Sequence, residues 1–246
     1  MNISTKLLSR FAAIIVIASL PTVADAQLPE QPSVTITIDE DVLDAFVDEP
    51  CHHFERARDT FLAGDVRTAA NELRTAEAFL TLEAARAAPQ GKVLLNNSVE
   101  ELRRLASAIQ RDQIDSVDVL KRAFARAHYA LAGHHCIKTA HRCCRPMTLK
   151  SKQETARAAR DMSAATLNLK RGFNWGGETM DQETQEMLDA AKLSTSKLTE
   201  NTPDSQNQIT RSIHSVHRKL ESLTGRKIML APNPDVHDDL GPSIFK

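Results

Sequence analysis

Aromatic residues are scarce in this chain, at 4% of the sequence with a single Trp and a single Tyr, and glycine is scarce too, at 8 of 246 residues. Strands favour aromatic and β-branched side chains, so this composition argues against a β-sandwich. Neither sign of charge is in excess: 31 Lys and Arg face 32 Asp and Glu. That balance excludes a general nucleic-acid binder, which is normally basic. No Gly-x-Ser-x-Gly elbow is present, and no strand-turn-helix cradle for a phosphate, so catalysis is left without a motif. Cys-x-x-Cys-His is absent, which removes covalent c-type haem. Beyond the N-terminus no apolar run approaches the roughly 20 residues that cross a bilayer.

The N-terminus itself has the layout of a secretory signal peptide. Lys6 and Arg10 give a positive start, Phe11 to Leu20 is apolar, Pro21 breaks the run, and Ala24-Asp25-Ala26 is a small-x-small cleavage site. Cleavage after residue 26 leaves a chain from Gln27 with no transmembrane anchor, expected in the periplasm or outside the cell. The removed segment carries Lys6, Arg10 and Asp25, net +1. The formal charge therefore passes from −1 to about −2.

Alanine is abundant and the apolar residues repeat at helical spacing. The pattern predicts an all-α fold, an antiparallel up-and-down bundle of about seven helices. An extended arm at 27–48, with Val34, Ile36 and Ile38 alternating, precedes a helical domain at 49–225. A four-helix unit at 49–144 and a three-helix unit at 147–225 divide that domain, and a Pro-containing tail fills 226–246. Within it, helices are expected at about 49–63, 65–88, 92–112, 116–143, 149–173, 180–200 and 203–224. Gly64 and Asp65 punctuate the first pair, Pro89 and Gly91 end the second helix, and Gly172 to Gly177 make a turn around Trp175. The last helix has its cap at Thr202, Pro203 at its first position, and the stripe Ile209, Ile213, Val216, Leu220 and Leu223.

Ala57, Gly64, Asp65, Ala69, Leu73 and Ala76 are spaced as in the helical hairpin of a tetratricopeptide repeat. The match occurs once, over about 30 residues, whereas a solenoid stacks several copies. More broadly, the stretches Glu72–Ala85 and Phe124–His135 resemble an uncharacterised family of exported bacterial helical-bundle proteins. That resemblance implies a helical fold and an exported location, and no activity.

Four cysteines in an exported chain suggest two disulfides. Helix geometry opposes them, because Cys136 and Cys143 lie about 10.5 Å apart along one helix and a disulfide needs Cα atoms within about 7 Å. Only Cys51 can pair normally, so at least two thiols are expected to stay free.

Nine histidines are more suggestive. Counting residues from the turns places His52, His53, His128, His214 and His217 near one height of the bundle, close to Met162 and Met187. His214 and His217, at i and i+3, share a helix face. With His135 these residues form a candidate ligand set for copper, zinc or haem iron. The plainer reading is a set of polar side chains flanking core stripes. A basic stretch, Lys138, Arg142, Arg145, Lys150, Lys152, Arg157 and Arg160, suits either a solvated face or contact with phosphate on an envelope lipid or an acidic partner. The expected function is that of an exported, non-catalytic bundle that meets a protein partner or the envelope surface. The alternative is transition-metal or haem binding through the inward histidines.

Overall fold

Gly64, at φ +80°, and Asp65 shape the first turn of the bundle. Glycine takes that left-handed backbone without a Cβ penalty. Asp65 then accepts a hydrogen bond from the Thr68 amide at 3.0 Å, capping the next helix. The computed structural model describes residues 48–143, 152–198 and 203–225. Seven α-helices and no strand occur among them: α1 (Glu49–Leu62), α2 (Val66–Ala85), α3 (Pro89–Gln110), α4 (Val117–Cys143), α5 (Lys152–Gly176), α6 (Gln182–Leu198) and α7 (Pro203–Thr224). They lie in a compact unit spanning Asp39–Lys246, while a second unit, Met1–Ile38, falls outside the described residues. The expected signal peptide, the alternating arm, the tail, the Thr202 cap, and Arg145 and Lys150 of the basic stretch also fall outside them. No helix among the described residues is long and apolar enough to cross a membrane.

Successive helices pack side by side, α1 on α2, α2 on α3 and so on, as short connections require. The central element is α4, which touches α1, α3, α5 and α7. Its burial is nearly continuous from Ala123 to Ala140, with Arg126 and Lys138 the exceptions. Leu120, Phe124, Ala127 and Leu131 enter one apolar cluster, shared with Phe54 of α1, Leu73 and Leu80 of α2, and Leu95, Leu102 and Ile109 of α3. Ala125, Tyr129, Cys136 and Ile137 enter a second, shared with Met162 and Leu169 of α5, Leu188 of α6, and Ile209, Ile213, Val216 and Leu220 of α7.

Three boundaries differ from expectation for physical reasons. Pro89 opens α3 instead of closing α2, since its missing N–H is one of the unpaired donors of a first turn. α5 runs through Gly172 to Gly176, and the turn comes only at Gly177, φ +67°. Gly172 is there to make room: a Cβ on it would stand 2.2 Å from Cε1 of Tyr129. α6 starts at Gln182 and not near 180, capped by Asp181, which accepts from the Thr184 amide at 2.8 Å.

Candidate functional site

A helix buried all round must find partners for whatever polar groups it carries, because an unpaired one costs about 1–3 kcal/mol. α4 carries three fully buried histidines, His128, His134 and His135. His128 Nδ1 lies 2.8 Å from Oδ1 of Asn168 on α5. The Asn168 amide nitrogen donates to the Ala164 carbonyl, so Oδ1 is the acceptor and Nδ1 of the imidazole carries the proton. Nε2 is then a bare lone pair with no partner, and the ring meets Phe54 edge-on at 5.4 Å. Burial pushes His128 down to about 4, against the Asn168 hydrogen bond, so the ring is neutral.

His134 and His135 are adjacent, their ring centroids 5.1 Å apart, and they meet different carboxylates. Nε2 of His134 comes within 3.2 Å of Glu83 Oε2 at the end of α2, off the line of a good hydrogen bond. Glu83 in turn holds Arg86 at 2.5 Å. The other imidazole nitrogen, Nδ1, would be 3.1 Å from a Cβ on Gly91, so the first turn of α3 rests directly on the ring. Burial pushes Glu83 up, yet His134, His135 and Arg86 bring its carboxyl down to about 2. Burial also pushes His134 down, to about 4, against the pull of the Glu83 carboxylate. The two shifts disagree about charge, since the first draws on a protonated His134 that the second denies at neutral pH. The fixed Arg86 cation and the depth of His134 favour an ionised Glu83 beside a neutral imidazole.

On the other side, Asp161 of α5 gathers three groups from one face of α4: His135 at 3.4 Å, Lys138 at 3.2 Å and Arg142 at 2.9 Å. Burial raises its carboxyl, but His135, Lys138 and Arg142 outweigh burial and hold it down to about 2.

The remaining sequence candidates are scattered. His53 is buried, 2.6 Å from Glu72, with Arg56 beside it and its ring stacked on Phe79. His52 and His214 are exposed. His217 is half-buried, 3.7 Å from Glu221 of its own helix. The counted height fails in part: His128 meets Asn168 on α5, about a turn beyond Met162 to Ala165, and on α7 it is Cys136 that reaches the Ile213 carbonyl, at 3.6 Å, so His214 lies about two turns from His128. Among the described residues no three His, Cys, Asp or Glu side chains are grouped to hold a metal ion. Cys51 and Cys136 are buried free thiols.

Sequence reasoning missed Glu83, Asp161 and Asn168, the partners of the buried imidazoles, and it left His134 out of the candidate set. A histidine pair inside an alanine-rich helix was the available signal.

Two surface recesses complete the geometry. A groove of about 600 Å³ runs between α3 and α4. Leu94, Ser98 and Glu101 form one wall and Ala125, Arg126 and Tyr129 the other, with Leu223 and Glu178 at one end. Arg126 grips Glu101 across the groove. Toward the α3–α4 turn the walls carry Arg104 and Arg122, and Arg122 has no ion pair among the described residues. Tyr129 lines the groove, with a hydroxyl that has no partner. Burial, helped by Glu178, raises its pKa above the ordinary value, so it stays protonated. A smaller cleft of about 370 Å³ separates α1 from the last turns of α5. No protein-family model matches the chain, and neither does any curated protein or any solved structure.

Proposed function

We propose that this chain is an exported, non-catalytic helical bundle that acts by holding a partner, a protein or a structure of the cell envelope, along the groove between α3 and α4. The observation that carries the reading is the groove itself: long, half apolar, with small side chains at Ser98, Ala125 and Ala130 that let a partner approach the helix backbones. Its ends differ in sign, Arg104 and Arg122 at one and Glu178 at the other, which suits a partner of opposite polarity. The buried histidines support the same reading, because each is engaged with residues of the bundle interior rather than with the surface.

A photoreactive side chain placed at Asn97, exposed within the groove, tests it in cells that express the chain. The expected result is one dominant adduct that is lost when Arg122 and Arg126 are changed to Glu. The same probe at Asn71, exposed on α2, serves as the control. Equal adducts at both positions, or none at Asn97, would overturn the groove as the docking surface.

A further inference from the structure

We propose that the cleft between α1 and the end of α5 binds a small zwitterion, a molecule carrying an ammonium group and a carboxylate or phosphate oxyanion on one short chain. The volume, about 370 Å³, lies at the lower end of small-ligand sites. Opposite walls carry opposite charge: Glu55 stands on α1 and Arg171 on α5. Glu55 is exposed and has no ion pair among the described residues, its one contact being the Cys51 thiol at 4.0 Å. Arg171 gives Nη1 to Asp48 at 2.7 Å. A guanidinium has five N–H donors in a planar fork, so an outer edge remains for a ligand oxyanion. His52 and Asn174 line the cleft beside it, and their side chains make no hydrogen bond among the described residues.

Arg58 takes no part, since it is tied to Asp59 at 2.6 Å and lies over the Trp175 ring at 5.4 Å. The floor is neutral. Burial raises the Cys51 thiol above its ordinary value, while Arg171 pulls it down and Glu55 and Asp48 push it up, so the walls act there with opposite sign. A simple anion entering this cleft meets Glu55, and a simple cation meets Arg171. A ligand with both charges is the one whose two ends are each matched. A free amino acid and a phosphoethanolamine headgroup share this chemistry. The inference does not depend on the groove, which other helices form.

Trp175 is the only tryptophan of the chain and lines the cleft, so its fluorescence reports occupancy directly. The full chain is titrated with L-alanine, with O-phosphoethanolamine, and with inorganic phosphate and ethanolamine separately. At least one zwitterion is expected to shift the emission saturably, and neither half-molecule alone. Glu55→Gln and Arg171→Gln should each weaken binding about tenfold or more, the loss of one charge-assisted contact. Saturation by alanine assigns the site to free amino acids. Saturation by phosphoethanolamine, with cosedimentation on phosphatidylethanolamine vesicles, assigns it to a lipid headgroup; without cosedimentation, to the soluble phosphodipole. The proposal is overturned if neither zwitterion binds, if phosphate or ethanolamine alone binds as well, or if Glu55→Gln, shown folded by circular dichroism, binds unchanged.

Discussion

The two sides of α4 are held by different means. Toward α1–α3 the filling is large and apolar: Phe54, Leu73, Leu80, Leu95, Leu102 and Ile109 are the biggest fully buried side chains there, against Met162, Leu169, Ile209 and Leu220 in α5–α7. Toward α5–α7 buried polar groups are more numerous. Eight of them, Thr155, Asp161, Asn168, Thr184, Ser194, Thr195, Ser205 and Ser212, compare with three in α1–α3, His53, Glu83 and Ser98. Several of the eight bond locally, as Thr195 does to the Ala191 carbonyl at 2.8 Å, or to one another, as Ser194 does to Ser212 at 3.0 Å. A fully buried leucine contributes about 2–3 kcal/mol by leaving water, whereas a hydrogen bond nets about 1 kcal/mol. The first side therefore owns more of the stability, and the second more of the positional definition.

Acid should give the largest effect and separate the contributions by pH. His128 is neutral in the fold, with its value lowered from 6.5 to about 4. The unfolded chain then binds the extra proton first, so stability present above pH 6.5 declines as pH falls toward 4, by about 3 kcal/mol for this group. His134 adds a loss of the same sign in the same window. Glu83 and Asp161 follow lower down, each lowered to about 2, with stability lost as pH falls from their ordinary values toward that point. Urea midpoints measured at pH 7.5, 5.5 and 4 should fall steadily, and His128→Gln should flatten the upper part. A level profile between pH 7 and 4.5 would rule out the buried neutral imidazoles.

Truncation compares the sides directly. Leu102→Ala, on the first, should cost about 3 kcal/mol. Ser194→Ala, on the second, should cost only about 1 kcal/mol. Hydrogen exchange should show α6 and α7 opening at lower free energy than α2 and α3, and equal protection would erase the contrast. Between these in size, Gly172→Ala should cost about 2 kcal/mol by driving a methyl into Tyr129. Pairing it with Tyr129→Leu should return most of that loss in a thermal melt.

Much of the bundle was readable from the chain because its helices are amphipathic. The stripe Ile209, Ile213, Val216 and Leu220 is buried as its spacing requires, and Pro203 opens α7 where its fixed φ fits. α4 was less readable. One stripe, Val117 to Leu131, was evident, but alanines on the opposite face carry little hydrophobic contrast, so burial on both sides left no second stripe to see. Val117 itself is only half-buried. Gly172 looked like a turn because a glycine needed for space and one needed for φ are written with the same letter. For the site, inward histidines were legible at His53, His128 and His135, while His52 and His214 prove exposed. Their partners were not legible, because sequence counts give height along a helix and Asn168, Asp161 and Glu83 are selected by facing.

The shared helix also sets a rule for how this chain can change length. Each residue of an α-helix advances the face by about 100°. One residue inserted into α4 between Tyr129 and His134 would keep every side chain and every propensity, yet swing Cys136, Ile137 and Ala140 away from α5 and α7. The imidazoles of His134 and His135 would turn away from Glu83 and Asp161 together. The other six helices can absorb a gained or lost residue in the connections between them, whereas α4 is confined to substitutions that preserve its phase.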